Sequence, residues 1–239
     1  MKGLIVAIQF LTRLPTPRLA VSGAEFAASM RWFPAVGLIL GGLIAGAAWL
    51  GMRIDPWVGA LMALTVWTGV TGALHLDGLG DIADASGAAH KDRERLLAVL
   101  ADPHIGSFGT VAIALQLLAK LVLLHALLDR GLLPALALVP FAARIAPLIW
   151  TISLPPLHQG LGARFRGAIR PFDLAPWAIA LAIAAWFAPA VLAILPFILA
   201  WGCWLRHRIG GISGDGHGAG IELAETALLF ALIAWHRLA

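Results

Sequence analysis

The sequence contains no tyrosine, one cysteine and few charged residues. The lone thiol of Cys203 cannot form an internal disulfide, so a disulfide-stabilised domain is excluded and no redox role is indicated. Charged residues make up 13% of the 239 residues, whereas soluble domains carry roughly 25%. Hydrophobic residues reach 60%, and the mean hydropathy is +0.88. These values predict an all-α fold, a polytopic bundle of helices in a membrane.

Long apolar runs predict about seven membrane spans in a single domain covering residues 1–239, because each run approaches the roughly 20 residues that cross a bilayer. The stretch Leu174–Arg206 fits one kinked helix or two short spans turning near Pro189, and the charge distribution favours two. Short interfacial helices are expected at Met1–Leu14, in place of a removed signal peptide, and at Lys91–Ala101. The predicted spans are Trp32–Met52, Trp57–Leu76, Phe108–Leu128, Leu132–Leu154, the two within Leu174–Arg206, and Gly220–Trp235.

Basic residues set the predicted orientation. With the amino terminus in the cytoplasm, the outer loops keep only Arg53, Arg130 and Arg237, as the positive-inside rule requires. The pI near 10.2 is then explained by cytoplasmic loops that face an anionic lipid bilayer. The basic residues are scattered over several loops instead of one groove, so no nucleic-acid partner is expected. The sequence leaves open whether the protein forms a homo-oligomer.

Three carboxylates follow the second predicted span, in the segment His75–Asp84 (HLDGLGDIAD). Asp77, Asp81 and Asp84 are spaced i, i+4 and i+7, which places them on one face of a helix. Like charges on one stripe repel each other, so the pattern suits a divalent cation such as Mg²⁺, which carboxylate oxygens hold together with substrate phosphates. A solvated acidic face at a helix end is the simpler alternative. We favour the metal site.

A second acidic group lies in the glycine-rich segment 206–225, which is expected to form a loop that leads into a helix near Ala219. An acidic residue there could simply cap the helix, but a carboxylate deeper in an apolar span is costly without a partner. Together with segment 75–107 this group predicts an acidic catalytic face on the cytoplasmic side. Asp215 is its further catalytic candidate, and Asp102, Glu222 and Glu225 are its candidates for substrate binding.

Two cations, Lys120 and Arg144, fall in the middle of predicted spans. Intramembrane charges either pair with acidic residues for structural reasons or contribute to function. Arginine binds phosphate in a bidentate manner, so we expect Arg144 to contact a diphosphate. The loop 160–167, with Arg164 and Arg166, is similar to a flexible cationic lid, and a lipid-facing basic loop is an equal alternative. Together, acidic residues, phosphate-suited cations and glycine loops indicate metal-assisted phosphoryl transfer on a lipophilic or membrane-associated substrate.

Four segments in this order resemble the cobalamin synthase family, the adenosylcobinamide-GDP ribazoletransferases. The resemblance extends over nearly the whole chain, and its Asp-Gly-Leu-x-Asp-x-x-Asp core is specific. The sequence departs from the family pattern at Ala85, where glycine is expected, and at His104, where arginine is common; neither change removes a carboxylate. The segments are Phe10–Pro17, His75–Asp84, Asp102–Gly106, and Gly210–Asp215 with Glu222 and Glu225.

This resemblance implies an Mg²⁺-dependent enzyme of the bacterial inner membrane that acts on adenosylcobinamide-GDP and α-ribazole or its 5′-phosphate. The nucleoside 3′-hydroxyl attacks the phosphorus next to the cobinamide aminopropanol, and GMP leaves. By the same resemblance, Asp77, Asp81 and Asp84 hold Mg²⁺ on the diphosphate, and Asp215 completes the site or acts as the base. The cations expected to neutralise the diphosphate and the leaving GMP are Lys120, Arg144, Arg164 and Arg166.

Three other classes of protein stay open at this point. A CDP-alcohol phosphotransferase also carries several Asp residues at helical spacing, but its pattern has Ala-Arg after the Asp-Gly, which is absent here. A transporter would place Lys120 and Arg144 along a pathway and should show inverted repeats, which the sequence lacks. A purely structural membrane protein would not need three carboxylates in register.

Overall fold

A computed structural model describes residues 1–88 and 92–238. Within these ranges the chain is helical and contains no β-strand, and its one extended pairing is a parallel bridge between Pro156 and Ile212. Short 3₁₀ turns and one π-helical turn, Leu205–Ile209, connect the α-helices. The α-helices are α1 Lys2–Leu11, α2 Gly23–Ser29, α3 Phe33–Gly51, α4 Pro56–Thr71, α5 Leu74–Ala88, α6 Arg93–Leu100, α7 Ser107–Asp129, α8 Leu133–Leu136, α9 Val139–Ala143, α10 Ala146–Ser153, α11 Leu161–Phe165, α12 Ala175–Phe187, α13 Ile194–Trp204 and α14 Gly214–Leu238.

Five helical segments are long and apolar enough to cross a membrane, which confirms the predicted helical membrane bundle. Helices α4 and α5 give a sixth span only when they are taken together, as a pair bent by 84° at the break between them. We therefore treat α4 as the membrane-crossing part and α5 as lying outside the span. The shorter apolar helix α12 would be the seventh. The five long segments are Gly23–Gly51, Ser107–Asp129, Leu133–Ser153, Pro189–Ile209 and Gly214–Leu238.

The second span ends five residues earlier than expected, at Thr71 instead of Leu76. Gly72 and Ala73 follow with φ of 60° and 58°, and two successive left-handed residues end a right-handed helix. Arg13 holds this turn, because its backbone N–H donates to the carbonyl of Val70 at 2.7 Å. The turn redirects the chain, so that the carboxylates of α5 lie against α7 and α14.

The expected loop in the glycine-rich segment is confined to residues 210–213, because α14 begins at Gly214 instead of near Ala219. The hydroxyl of Ser213 caps this end by accepting from the N–H of Gly216 at 3.0 Å. Glycine is needed for packing. A Cβ on Gly220 would lie 2.5 Å from the rings of Trp150 and Trp201. Close packing against α10 and α13 therefore overrides the roughly 1 kcal/mol by which this glycine weakens the helix.

Two further expectations concern segment ends. The amphipathic helix expected at Lys91–Ala101 is α6, which starts at Arg93 because the Asp92 carboxylate accepts from the N–H of Arg95 at 3.1 Å. Lys91 itself lies outside the described residues. A break expected at Ala188–Pro189 is present, because α12 ends at Phe187 and a 3₁₀ turn begins at Pro189.

Candidate active site

The carboxylates predicted to share one helix face do lie on a single helix, α5, at increasing depth. Asp77 is exposed, Asp81 is half-buried and Asp84 is buried. Asp215, in the first turn of α14, joins them across Gly78. A Cβ on Gly78 would stand only 3.0 Å from the backbone of Asp215, so the absence of a side chain there allows the two helices to approach. The structure thus brings Asp215 beside the α5 carboxylates, as predicted from the sequence.

Asp84 has a contact that the sequence does not predict. Its two oxygens accept from the backbone N–H groups of Gly106 at 2.7 Å and Gly109 at 2.9 Å. The carboxylate therefore satisfies the first free N–H groups of α7 and complements the positive end of that helix. A Cβ on either glycine would overlap the carboxylate. The signal in the sequence is the glycine pair in IGSFG, which by itself indicates only a turn.

Burial and electrostatic repulsion both disfavour the ionised form of Asp81, in the middle of the acidic face. Burial, followed by the neighbouring charges of Asp215, Asp77 and Asp84, raises the pKa of Asp81 to about 6. A bound cation would reverse this effect by favouring the ionised carboxylate. Among the described residues, however, no group of three His, Cys, Asp or Glu side chains is close enough to hold a metal ion. The expectation that Asp77, Asp81 and Asp84 share Mg²⁺ therefore stays a prediction.

The two intramembrane cations form a buried ion network with Glu222 and Glu225. Lys120 Nζ lies 2.6 Å from a carboxylate oxygen of each glutamate, and Arg144 Nη1 lies 2.8 Å from the other oxygen of Glu225. All four side chains are at most 4% exposed. The amide of Gln116 also donates to Glu222 at 3.0 Å.

In this network Lys120, Arg144, Glu222 and Glu225 pair with one another, and the expectation that they bind substrate stays a prediction. Two cations face two anions, so the set is neutral, and each charge already has a partner. The alternative left open by the sequence, a structural ion pair, describes these residues. Direct contact of Lys120 or Arg144 with a diphosphate has no support in the structure, because neither side chain reaches the surface.

An apolar pocket of 90 Å³ opens directly beside Asp77 and Asp215. Phe10, Phe33 and Phe165 form its aromatic wall, with ring centroids 5.9 to 6.1 Å apart. Packed aromatic rings of this kind favour another planar ring. The pocket has room for one edge of such a ring, with the carboxylates at its mouth.

The remaining predicted site residues do not line the pocket at Asp77 and Asp215. Arg164, in α11, lines a separate surface cavity of 600 Å³ together with Arg31 and Arg170. Arg166 is exposed and follows α11, so the expected flexible loop contains a short helix. Asp102 is exposed and accepts from the backbone N–H and ring of His104 at 3.0 and 2.7 Å. These hydrogen bonds lower the pKa of Asp102 and hold a local turn.

Comparison with known proteins decides the family. The family described as cobalamin-5-phosphate synthase matches residues 3–233. The chain belongs to this family. A relative from Novosphingobium aromaticivorans is 67% identical, over 97% of this chain and 96% of its own. Relatives from Thiobacillus denitrificans and Laribacter hongkongensis are each 50% identical, over 96% and 100% of this chain and 94% and 99% of theirs. All three are named adenosylcobinamide-GDP ribazoletransferase. No solved structure matches the chain.

Membership of the cobalamin-5-phosphate synthase family confirms the resemblance carried by the four sequence segments. It also sets aside the CDP-alcohol phosphotransferase, transporter and purely structural alternatives. For a cobalamin-5-phosphate synthase, the relevant geometry is a row of carboxylates on α5, an aromatic pocket at one end of that row and a buried ion network beneath it.

Proposed function

We propose that the protein transfers the cobinamide-phosphate group of adenosylcobinamide-GDP to α-ribazole or its 5′-phosphate. The 3′-hydroxyl oxygen of the acceptor forms a bond to the phosphorus that bears the cobinamide aminopropanol oxygen. The bond from that phosphorus to the bridging oxygen breaks, and GMP leaves with this oxygen. The observation that carries the proposal is the juxtaposition of carboxylates and aromatic pocket at Asp77 and Asp215. The carboxylates that would hold a metal ion on the diphosphate therefore border a pocket for a planar base.

The donor atoms of Asp77, Asp81 and Asp215 fit Mg²⁺. This ion is usually held by one or two carboxylates plus substrate phosphates, so a complete protein cage is not required beforehand. When bound, Mg²⁺ supplies positive charge that neutralises the diphosphate. We assign Asp84 a positioning role instead, because its oxygens already accept from the amides of α7.

The chain's own residues orient the acceptor and exclude water. Phe10, Phe33 and Phe165 would take the apolar base, which directs the ribose toward Asp215. Asp215 is then placed to accept the hydroxyl proton, or to complete the cation site. Arg164 and Arg166, at the end of α11, stay candidates for neutralising charge on the diphosphate.

The proposal places the protein in the bacterial inner membrane with its amino terminus and acidic face in the cytoplasm. The apolar helical segments and the one-sided basic loops support this orientation. Reporter fusions test it: an alkaline phosphatase fused after Trp235 should be active, and one fused after Arg170 should be inactive. The reverse pattern would refute the orientation.

The decisive experiment measures GMP release from adenosylcobinamide-GDP and α-ribazole by detergent-solubilised protein, with and without Mg²⁺. We expect release only with the metal. Asp81→Asn should abolish release while the protein still expresses and folds, because this half-buried carboxylate lies in the middle of the acidic row. Asp129→Asn, an exposed carboxylate at the other end of α7, is the matched control and should be fully active. Near-normal turnover by the Asp81 variant would refute the assignment.

A further inference from the structure

A second cavity lies at the carboxyl-terminal end of α5, beyond the carboxylates. It measures 260 Å³ and is enclosed by α5, the start of α6 and the π-helical turn before α14. Its polar lining consists of Ser86, Asp92, Arg93, His207 and Arg208. None of these side chains has a role in the site described above.

The cations of this cavity are available to a ligand. Neither Arg93 nor Arg208 forms a salt bridge within the described part of the chain. The one carboxylate on the wall, Asp92, already accepts from the N–H of Arg95 at 3.1 Å, and its position caps α6. Two guanidinium groups therefore face one occupied carboxylate, which makes the cavity attractive to an anion. Arginine is also the side chain that best matches a phosphate group.

The inner wall of the cavity carries an unsatisfied polar atom. Ser86 Oγ is buried and has no hydrogen-bond partner among the described residues. Buried hydroxyls nearly always have a partner, so an exception calls for an explanation. A ligand oxygen in the cavity would supply the missing hydrogen bond.

Local backbone geometry lets one of the cations, Arg93, pack closely against the π-helical turn. Gly210 has φ of 93°, a left-handed conformation that ends the π-helical turn. A Cβ at this position would lie 2.6 Å from Arg93 Nη1, so the guanidinium packs directly on the glycine. π-helical turns occur often at functional sites, and here the turn carries His207 and Arg208 on its last residues.

The cavity is adjacent to the acidic row. Ala85, which lines the cavity, follows Asp81 by four residues, one turn further along the same side of α5 and roughly 6 Å along the axis. From the other side, Gly210 precedes Asp215 by five residues. The acidic face therefore lies between the aromatic pocket at Asp77 and the cationic cavity at Ser86. This is the order needed when an attacking and a leaving oxygen lie in line on a transferred phosphorus.

We propose that this cavity binds the phosphate and ribose of the departing nucleoside monophosphate, through Arg93, Arg208 and Ser86. The inference rests on the proposed function and adds the location of the leaving group. A lipid headgroup offers the same phosphate chemistry, so the test must distinguish a free nucleotide from an anionic lipid.

The test measures binding of GMP to the full-length protein in detergent without metal, by equilibrium dialysis, alongside GMP release. Loss of one charged hydrogen-bond donor should weaken GMP binding by about tenfold in Arg93→Gln and in Arg208→Gln. Guanosine, which lacks the phosphate, should bind the variants and the unmodified protein equally. Arg95→Gln on α6 and Arg206→Gln on the π-helical turn remove the same charge outside the cavity wall and should leave GMP binding unchanged.

Several results would overturn the proposal while leaving the proposed function intact. The unmodified protein could release GMP yet not bind it at millimolar concentration, or the cavity variants could bind GMP as tightly as the controls. If phosphatidylglycerol, added in mixed micelles, bound more weakly to the cavity variants while GMP binding did not change, the cavity would be a lipid-headgroup site. Absence of any GMP release by the unmodified protein would instead refute the proposed function.

Discussion

Replacing Glu225 by glutamine tests whether the buried ion network is structural. Glu225 is fully buried and accepts from Lys120 at 2.6 Å with one oxygen and from Arg144 at 2.8 Å with the other. Glutamine keeps the shape but removes the charge and presents an amide N–H₂ to one of the two cations. The network then holds two cations and one anion in an apolar interior.

The expected cost follows from that imbalance. Breaking a buried ion pair by removing one partner destabilises a protein by about 3–5 kcal/mol. For a chain of this length, each kcal/mol lowers the Tm by about 2–4 °C, so Glu225→Gln should lower the Tm by about 6–20 °C. Tryptophan fluorescence during thermal unfolding in detergent measures the change. Glu94→Gln, an exposed glutamate in α6, is the matched control and should leave the Tm unchanged.

A double variant separates charge imbalance from loss of shape. Arg144→Met combined with Glu225→Gln leaves Lys120 paired with Glu222, so the interior is neutral again. The double variant should be destabilised by less than the sum of the two single variants. If the stability losses of the two single variants simply added up in the double variant, Arg144 and Glu225 would not be coupled in one network. Loss of GMP release at an unchanged Tm would instead support the expectation that these charges act on the substrate.

Three further predictions address the acidic face and its pocket. Gly78→Ala should sharply reduce GMP release, because its Cβ presses on the first turn of α14, whereas Gly42→Ala meets open space and should be neutral. Without metal, Asp81→Asn should have a higher Tm than the unmodified protein above pH 6, because the raised pKa of Asp81 makes ionisation of this carboxyl in the folded protein unfavourable. The difference in Tm should vanish below pH 3.8, where the carboxyl is protonated in both the folded and the unfolded chain. Equal Tm values at pH 7.5 would contradict the repulsion among the carboxylates. Phe165→Ala should raise the KM for α-ribazole by about tenfold with little change in kcat, since it removes roughly 1.5 kcal/mol or more of apolar contact, whereas exposed Phe172→Ala should not.

Helical periodicity alone is enough to predict how the α5 carboxylates are arranged. A spacing of i, i+4 and i+7 places side chains on one face whatever the tertiary contacts, so Asp77, Asp81 and Asp84 share a face as expected. The positions of the spans can be predicted from hydropathy, because hydropathy does not depend on tertiary contacts either. The ends of spans cannot, because they depend on local backbone geometry. The left-handed pair at Gly72 and Ala73 stops α4 inside an apolar run that hydropathy alone extends to Leu76.

Pairing between distant segments cannot be derived from the sequence. Lys120, Arg144 and Glu225 are each recognisable as costly in a membrane, but their partners depend on how three separate elements pack together. The same holds for Asp84. Its partners are backbone amides 22 and 25 residues further along the chain, which have no side-chain signature beyond the two glycines.

The roles of the four acidic residues of this face follow from what already contacts them. Asp84 is buried, and both of its oxygens accept from backbone amides of the α7 end. Its role in cation binding would therefore be to hold α5 in position. Asp77 and Asp215 border the aromatic pocket, where an acceptor hydroxyl would arrive. Asp81 lies between them and the cationic cavity and experiences the repulsion of all three. Asp81 is therefore the carboxylate that a bound cation would stabilise most, and it lies where the diphosphate would be placed between the acceptor and the leaving nucleotide.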